Sequence, residues 1–365
     1  MKMMSLNKKK LLACALAASL SWGFAYSADA ATRSEIAAIH VEKAQDFKFW
    51  NDKAPAKQQL ISYVQDVTNP QSPNFIPVED RIAVFDCDGT LLCETAPFYF
   101  DWMLCLHRMQ NDPSYTPTSE QKKLAQEFQT AITNHKVTDE MDELKNNKIF
   151  PELFAGMTPE AYQAYVTKYM NNTYVKGLSN LKTGESFYLP MAEVVSYLNA
   201  HNFTVYIVSG CERDTVRTLV KDVMPIAPNH IIGTDHSYHM EKQPADVRAD
   251  FFQYTKDDKL VRGDKLIGIN VKSNKVVLIH REIGKKPVLA FGNSSGDASM
   301  FDYTITDNKY KAAAFTLLCD DTERELGNPA KAEKMKQSAE KHGWTTISMK
   351  DDFKTIYGDN VKRTK

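Results

Sequence analysis

Two aspartates one residue apart, Asp86 and Asp88, follow directly on the apolar run Ile82-Ala83-Val84-Phe85 and precede Gly89-Thr90. A continuous apolar run suits a strand buried on both faces, as in parallel sheets. Sheets of that kind place their ligands at the carboxyl ends of the strands. Two carboxylates there can converge on one cation, and magnesium takes hard oxygen donors, commonly one or two carboxylates plus substrate phosphate. One carboxylate can also attack phosphorus while the other moves a proton. A calcium loop of the EF-hand kind is excluded, because its sixth position needs Gly and the sixth residue from Asp86 is Leu91. A plain turn or helix cap would use one aspartate, rarely two straight after a buried strand.

Two further segments repeat the arrangement of polar residues just past an apolar run. Val205-Tyr206-Ile207-Val208 leads into Ser209-Gly210, whose hydroxyl and backbone can face a phosphate. Phe291-Gly292-Asn293-Ser294-Ser295-Gly296-Asp297 offers small residues that let a ligand approach the backbone, with oxygens from Asn293 and Asp297. The same segment spells Gly-x-Ser-x-Gly, the nucleophile elbow of serine hydrolases. Ser294, Asp320 and His342 occur in the order such an enzyme needs, so a serine esterase is the alternative. That alternative lacks a His-Gly-Gly-Gly oxyanion segment and leaves the paired aspartates without a task.

A cation to neutralise phosphate is available among Lys265, Lys272, Lys275, Lys285 and Lys286, and spacing alone does not choose one. Glu94, close behind the first motif, is a candidate for touching substrate. Arg213, shortly after Ser209, is a candidate for steadying phosphate or for capping a helix. Phe98, Tyr99, Phe100 and Trp102 are expected mainly to pack, or else to line a pocket. His236 and His239 have ligand-like spacing but no nearby cysteines to complete a metal set.

The elements that must hold these residues can be read from hydrophobic periodicity. Strands are expected over 82–85, 204–208, 265–269, 288–291 and 313–318. Helical patterns between some of them are Met191, Val194, Val195, Leu198 and Val216, Leu219, Val220, Val223. This alternation predicts an α/β fold: a doubly wound, Rossmann-like, mostly parallel sheet. About 30 residues suffice for one strand–helix–strand unit, yet Asp86 and Ser209 lie far further apart. The excess predicts a helical cap over 97–185. Its signals are Leu124, Phe128, Ala131 and Ile132 on one helix face, and Thr158-Pro159 opening a helix with Tyr162, Tyr165, Val166 and Tyr169. The core is then 79–96 with 186–365, preceded by a helical lead-in over 31–78, with helices expected at 34–50 and 57–67.

The chain has 365 residues, 43% of them hydrophobic and 25% charged, with a formal net charge of −1. That composition fits a folded globular protein and gives no field of one sign to attract nucleic acid or a membrane surface. Lys8, Lys9 and Lys10 ahead of an uncharged, Leu- and Ala-rich stretch, ending in Ala28-Asp29-Ala30, predict a secretory leader cut near Ala30 and a secreted or periplasmic protein. Beyond it remain Cys87, Cys93, Cys105, Cys211 and Cys319, an odd number without paired spacing. No disulfide framework is indicated, although a single Cys93–Cys105 bridge is open.

Taken in order, Asp86-x-Asp88-Gly-Thr, Ser209 after a strand, a lysine, and Gly292-Asn-Ser-Ser-Gly-Asp297 resemble the haloacid dehalogenase superfamily. Within it the chain looks like the secreted, phosphoserine-phosphatase-like branch. The resemblance implies a magnesium-dependent phosphomonoesterase acting on a small phosphate ester through an aspartyl-phosphate. Asp86 would be nucleophile and metal ligand, and Asp88 the acid, then base, with its carbonyl toward the metal. Ser209 would bind the phosphoryl group, Lys275 would be the neutralising lysine with Lys272 as runner-up, and Asn293 and Asp297 would complete the metal site. Many relatives carry aspartate where this chain has Asn293, which implies weaker metal binding. The alcohol, the oligomeric state and any third role, such as a non-catalytic phosphate-ester binder, are not fixed by these motifs.

Overall fold

The computed structural model describes residues 30–93 and 99–364. Apart from Ala30 the expected leader lies outside the described residues, as do Glu94 and Phe98. Helices α1 (Arg33–Ala37) and α2 (Pro55–Thr68) precede strand β1 (Ile82–Phe85). Before the next strand come α3 (Phe100–Gln110), α4 (Ser119–Thr133), α5 (Asp139–Leu144), α6 (Phe150–Phe154), α7 (Pro159–Asn172) and α8 (Leu189–Ala200). The chain continues through β2 (Thr204–Glu212), α9 (Arg213–Val220), β3 (Ile231–Met240), β4 (Leu260–Gly268), α10 (Ser273–Ile283), β5 (Leu289–Gly292) and α11 (Ala298–Ile305). It ends with β6 (Ala313–Leu318), α12 (Pro329–His342), β7 (Thr345–Ser348) and α13 (Met349–Asp352).

The strands form one sheet in the order β4-β3-β2-β1-β5-β6-β7. Every pairing is parallel except β3 with β4, which is antiparallel. With β1 at the centre and the chain stepping outward on both sides, the sheet is doubly wound, as the sequence predicts. The period of two explains why β1 is apolar throughout. Ala83 and Phe85 enter one buried cluster with Val205, Ile207, Leu289, Phe291 and Phe315. Ile82 and Val84 enter the opposite cluster with Val208, Ile232, Ala290, Ala314 and Leu318.

The helices between β1 and β2 carry the faces expected of them. Phe128, Ala131 and Ile132 of α4 are buried, with Phe128 edge-on to Trp102 of α3 at 4.8 Å between ring centroids. Thr158 caps α7 by accepting from Ala161 N at 3.2 Å, with Pro159 in its first turn. This segment is stitched to the sheet edge: Gly156 N donates to Arg262 O, and Arg262 N donates to Met157 O, each at 2.8 Å.

Four expectations need correction. The helix over 34–50 is only α1 and a 3-10 turn at Ala44–Asp46. Tertiary anchors hold the rest extended: Val41 N donates to Ser196 Oγ, and Lys48 N and Phe49 N donate to the Glu193 carboxylate. The apolar run at 265–269 belongs to a longer antiparallel edge strand, β4, with Ile267 exposed. Strands β3 and β7 give no apolar run, because one is polar toward its end and the other is a four-residue strand at the far edge. The five described cysteines are buried and free, so Cys93 and Cys105 are not bridged. Among the described residues no helix is long and apolar enough to cross a membrane.

Candidate active site

Parallel strands deliver their last residues to one end of the sheet, and three motifs converge there. β1 ends in Phe85 and β5 contains Phe291, whose rings stack at 4.3 Å with an interplanar angle of 9°. Asp86 N donates to Phe291 O at 2.8 Å, which sets the height of Asp86 beside Gly292. Just beyond, the Cys87 carbonyl accepts from the N–H groups of Thr90, Leu91 and Leu92. Gly89 takes the left-handed conformation, φ 75°, that this reversal requires.

The centre of the site is Lys275, from the first turns of α10. Its ammonium donates to Asp86 Oδ1 at 2.6 Å, to Asp297 Oδ1 at 2.6 Å and to the Val208 carbonyl at 2.7 Å. Lys275, Asp86 and Asp297 are all buried. All three donors of the ammonium are thereby used. Of the five candidate lysines the fold brings Lys275 to these carboxylates: Lys265 and Lys272 are exposed, and Lys285 and Lys286 bind Asp80 and the Thr306 carbonyl instead.

Asp297 is held from its other oxygen. Oδ2 accepts from Asn293 N and Ser294 N, each at 3.0 Å, and from Ser294 Oγ at 3.2 Å. This closes the loop between β5 and α11 into a cradle, and only glycine fits at 292. A Cβ there would lie 2.7 Å from both Cβ and Cγ of Asp297.

Burial pushes the Asp86 carboxyl up to about 7; Asp297 adds to the rise, and Lys275 opposes it. Lys275 is driven above its ordinary value, because Asp297 and Asp86 outweigh its burial. Two buried carboxylates against one ammonium leave the site electron-rich, with capacity for further positive charge.

A cavity of about 280 Å³ opens above this centre. It is lined by Asp86, Asp88, Lys275, Asn293 and Asp297 on the sheet side, and by Gly210 and Cys211 from the end of β2. Asp88 thus shares the cavity with Asp86, as expected. Ser209 is fully buried behind this wall, its Oγ accepting from Cys211 N at 3.0 Å. A hydroxyl that accepts in this way still has its own proton to donate.

Two expectations fail here. Arg213 does not steady phosphate: its guanidinium is committed to Asp235 at 2.6 and 2.8 Å and to Glu282 at 2.7 and 2.8 Å. The serine triad is not assembled either. Ser294 hydrogen-bonds Asp297, His342 Nδ1 pairs with Asp302 at 3.0 Å, and Asp320 accepts from Ser348 and Lys350. Glu94, as noted, lies outside the described residues.

Sequence reasoning missed part of the opposite wall, formed by Tyr99, Phe100, Asp101, Trp102, Asp142, Lys145 and Asn146. The aromatic residues among them were candidates. Asp101, an acid inside an aromatic cluster, gave a faint signal, and Lys145 gave none among its polar neighbours.

The donors available to a metal are hard oxygens: Asp86, Asp297 and the Asn293 amide, with Asp88 on the same cavity. This set, on a site short of positive charge, fits magnesium. Among the described residues no three His, Cys, Asp or Glu side chains group closely enough to enclose a cation by themselves. A cation here would draw the rest of its shell from water and substrate, which is how magnesium is ordinarily held.

An α/β sheet with carboxylates at the end of its central strand and a buried lysine between them holds the acids and the cation that hydrolytic chemistry can use. Residues 83–302 match the haloacid dehalogenase-like hydrolase family, and the chain belongs to it. No curated protein sequence matches. Among solved structures, a conserved protein of unknown function from Anaerococcus prevotii aligns over 82% of this chain and 92% of its own, at 13% identity and a TM-score of 0.51, which bears on the fold alone. Cytosolic 5'-nucleotidase IIIB bound to cytidine aligns over 81% and 87% at 11% identity with a TM-score of 0.44. A phosphoserine phosphohydrolase-like protein from Francisella tularensis aligns over 66% and 88% at 13% identity with a TM-score of 0.34.

Proposed function

We propose that this hydrolase cleaves phosphate monoesters, with Asp86 as nucleophile. The observation that carries the reading is the Lys275 ammonium, 2.6 Å from both Asp86 and Asp297 at the floor of the cavity that Asp88 shares. An Asp86 oxygen attacks phosphorus, and the bond from phosphorus to the alcohol oxygen breaks in line. Asp88 gives its proton to the leaving alkoxide. Asp88 then takes a proton from water as that water attacks the aspartyl-phosphate, releasing phosphate and restoring Asp86. Lys275 stays protonated throughout and offsets charge on the transferring group, and Gly210 and Cys211 at the end of β2 flank it, with the Ser209 hydroxyl behind them. Asp297 holds Lys275 in line with Asp86 and takes no part in bond making.

Magnesium, bound through Asp86, Asp88, Asn293 and Asp297, would supply further charge stabilisation to the phosphoryl oxygens. Positioning and electrostatics dominate phosphoryl transfer, and a site of buried charges held by hydrogen bonds is suited to both. The helices between β1 and β2 act as a cap that excludes water. Asp88 separates this reading from dehalogenation, since an alkoxide needs a proton and chloride does not.

The test is release of phosphate from p-nitrophenyl phosphate with magnesium. Asp86→Asn should lower turnover by about 10³-fold or more. Turnover near that of the unchanged protein would defeat the assignment, and no turnover by the unchanged protein on any ester would favour a non-catalytic binder.

A further inference from the structure

The wall facing Asp86 contains one cation whose hydrogen-bonding capacity the protein leaves unused. The Lys145 side chain is only 7% exposed. A lysine side chain so little exposed ordinarily finds acceptors for its three N–H donors. Among the described residues the Lys145 side chain makes no hydrogen bond; its backbone N–H is spent on the Asp142 and Met141 carbonyls. Its nearest counter-charge is Asp142 Oδ1 at 3.7 Å, beyond hydrogen-bond reach, and that side chain is 52% exposed. The Trp102 ring lies 5.3 Å from the ammonium. Asp101, on the same wall, is already occupied: one carboxylate oxygen accepts from Cys211 Sγ at 3.2 Å and the other from Glu212 N at 3.3 Å.

The backbone singles out the same residue. None of the six residues of α5 is buried, yet Lys145, directly after it, is. It opens a π-helical turn, Lys145–Ile149, which carries an extra residue per turn and breaks the register of the helix. Turns of this kind are rare and concentrate at functional sites.

We propose that Lys145 selects the alcohol half of the substrate by binding a carboxylate on it, so that the substrate is the phosphate ester of a short hydroxy acid. The proposal rests on the phosphatase reading above. A carboxylate matches a buried cation in charge and offers acceptors to donors that have none. A neutral hydroxyl would leave the cation without a directly hydrogen-bonded counter-charge, since Asp142 stands at 3.7 Å. The cavity of about 280 Å³ has room for a phosphate and a few further heavy atoms, which limits the acid to a short one. An amino group on the substrate is not required, because the Asp101 carboxylate that could receive it is tied to the end of β2.

The test compares esters matched in size: phosphoglycolate against ethyl phosphate, and phospholactate against isopropyl phosphate, each with magnesium. The full chain should prefer the carboxylate member of each pair by about ten-fold or more in kcat/KM. Lys145→Met, which keeps the aliphatic stem against Trp102, should bring that ratio close to one, chiefly through KM. Lys145→Arg should retain much of it. Equal kcat/KM within the pairs, or a preference that survives Lys145→Met, would overturn the proposal. Calorimetric binding of the same pairs to Asp86→Asn gives the comparison without turnover. A chain that hydrolyses no ester but still binds the carboxylate members more tightly through Lys145 would sink the phosphatase reading and keep this one.

Discussion

The Arg262 guanidinium donates to Glu212 Oε1 at 2.8 Å while its carbon lies 3.9 Å from the centre of the Tyr162 ring. One side chain therefore ties three places together: strand β4, the end of β2 just past Ser209–Cys211, and α7 between β1 and β2. Glu212 also accepts from Thr215 N at 2.7 Å, capping α9, so the same carboxylate starts the helix that follows the cavity-lining Gly210–Cys211 stretch.

This pair is buried, with the two side chains 1% and 2% exposed, and removing one partner strands the other charge. Arg262→Met should cost about 3–5 kcal/mol of stability, as breaking buried pairs does, read from the urea midpoint. A loss below about 1 kcal/mol, within the range of an exposed pair, would show that the contact is not the clamp described.

The same pair sets an acid limit. Burial alone would raise the Glu212 carboxyl, but Arg262, with His236 beside it, holds it down to about 2. A carboxyl held below its unfolded value of about 4.3 stabilises the fold above that pH and loses the contribution as pH falls toward about 2. Urea midpoints between pH 6 and pH 3 should fall less steeply in a Glu212→Gln, Arg262→Met double variant than in the unchanged chain. Parallel slopes would sink the assignment.

Glu193 should act in the opposite sense. Burial pushes its carboxyl up to about 7 despite N–H donation from Lys48 and Phe49. A group whose folded value is raised binds protons more readily when folded, so stability falls as pH rises from about 4.3 through about 7. The full effect is roughly 3 kcal/mol. Glu193→Gln, although weaker overall for losing one acceptor, should flatten this slope between pH 5 and pH 8 in thermal unfolding. An unchanged slope would place the dependence elsewhere.

Gly292→Ala tests the cradle. The new Cβ would sit 2.7 Å from Asp297 Cβ and Cγ, which displaces Asp297 from Lys275. Overpacking of this kind costs about 1–3 kcal/mol. Phosphate release should drop much further than stability, since Asp297 holds the lysine in place. Activity surviving at half or more of the original would mean that Asp297 is not needed where it stands.

Chelation tests the metal. EDTA should abolish phosphate release and magnesium should restore it. Asn293→Asp adds a carboxylate and should lower the half-activating magnesium concentration by roughly ten-fold. Full activity after exhaustive EDTA treatment would remove magnesium from the reading and leave Lys275 as the cation beside Asp86.

The sequence by itself determined the parts of this protein that depend on local pattern. The run 82–85 is apolar because both faces of a central parallel strand are covered, and that pattern places Asp86 and Asp88 at the strand's end. The loop 292–297 was legible for the same reason, since small residues after a buried strand mark where the backbone must come close to something. The length between Asp86 and Ser209 predicted the several helices that stand between β1 and β2.

Tertiary structure alone decided which lysine matters. Lys272 and Lys275 differ little in sequence, but one helical turn sends only Lys275 between two buried carboxylates. It also decided that Arg213 is spent on Asp235 and Glu282, that Ser294 has no histidine partner, and that 38–50 is irregular around one 3-10 turn where its pattern suggested a helix. For Lys275, Arg213 and the segment 38–50 the deciding partners lie far along the chain. The same holds for Lys145: a lysine among polar residues looks solvated, and only the fold shows it turned inward toward the cavity above Asp86.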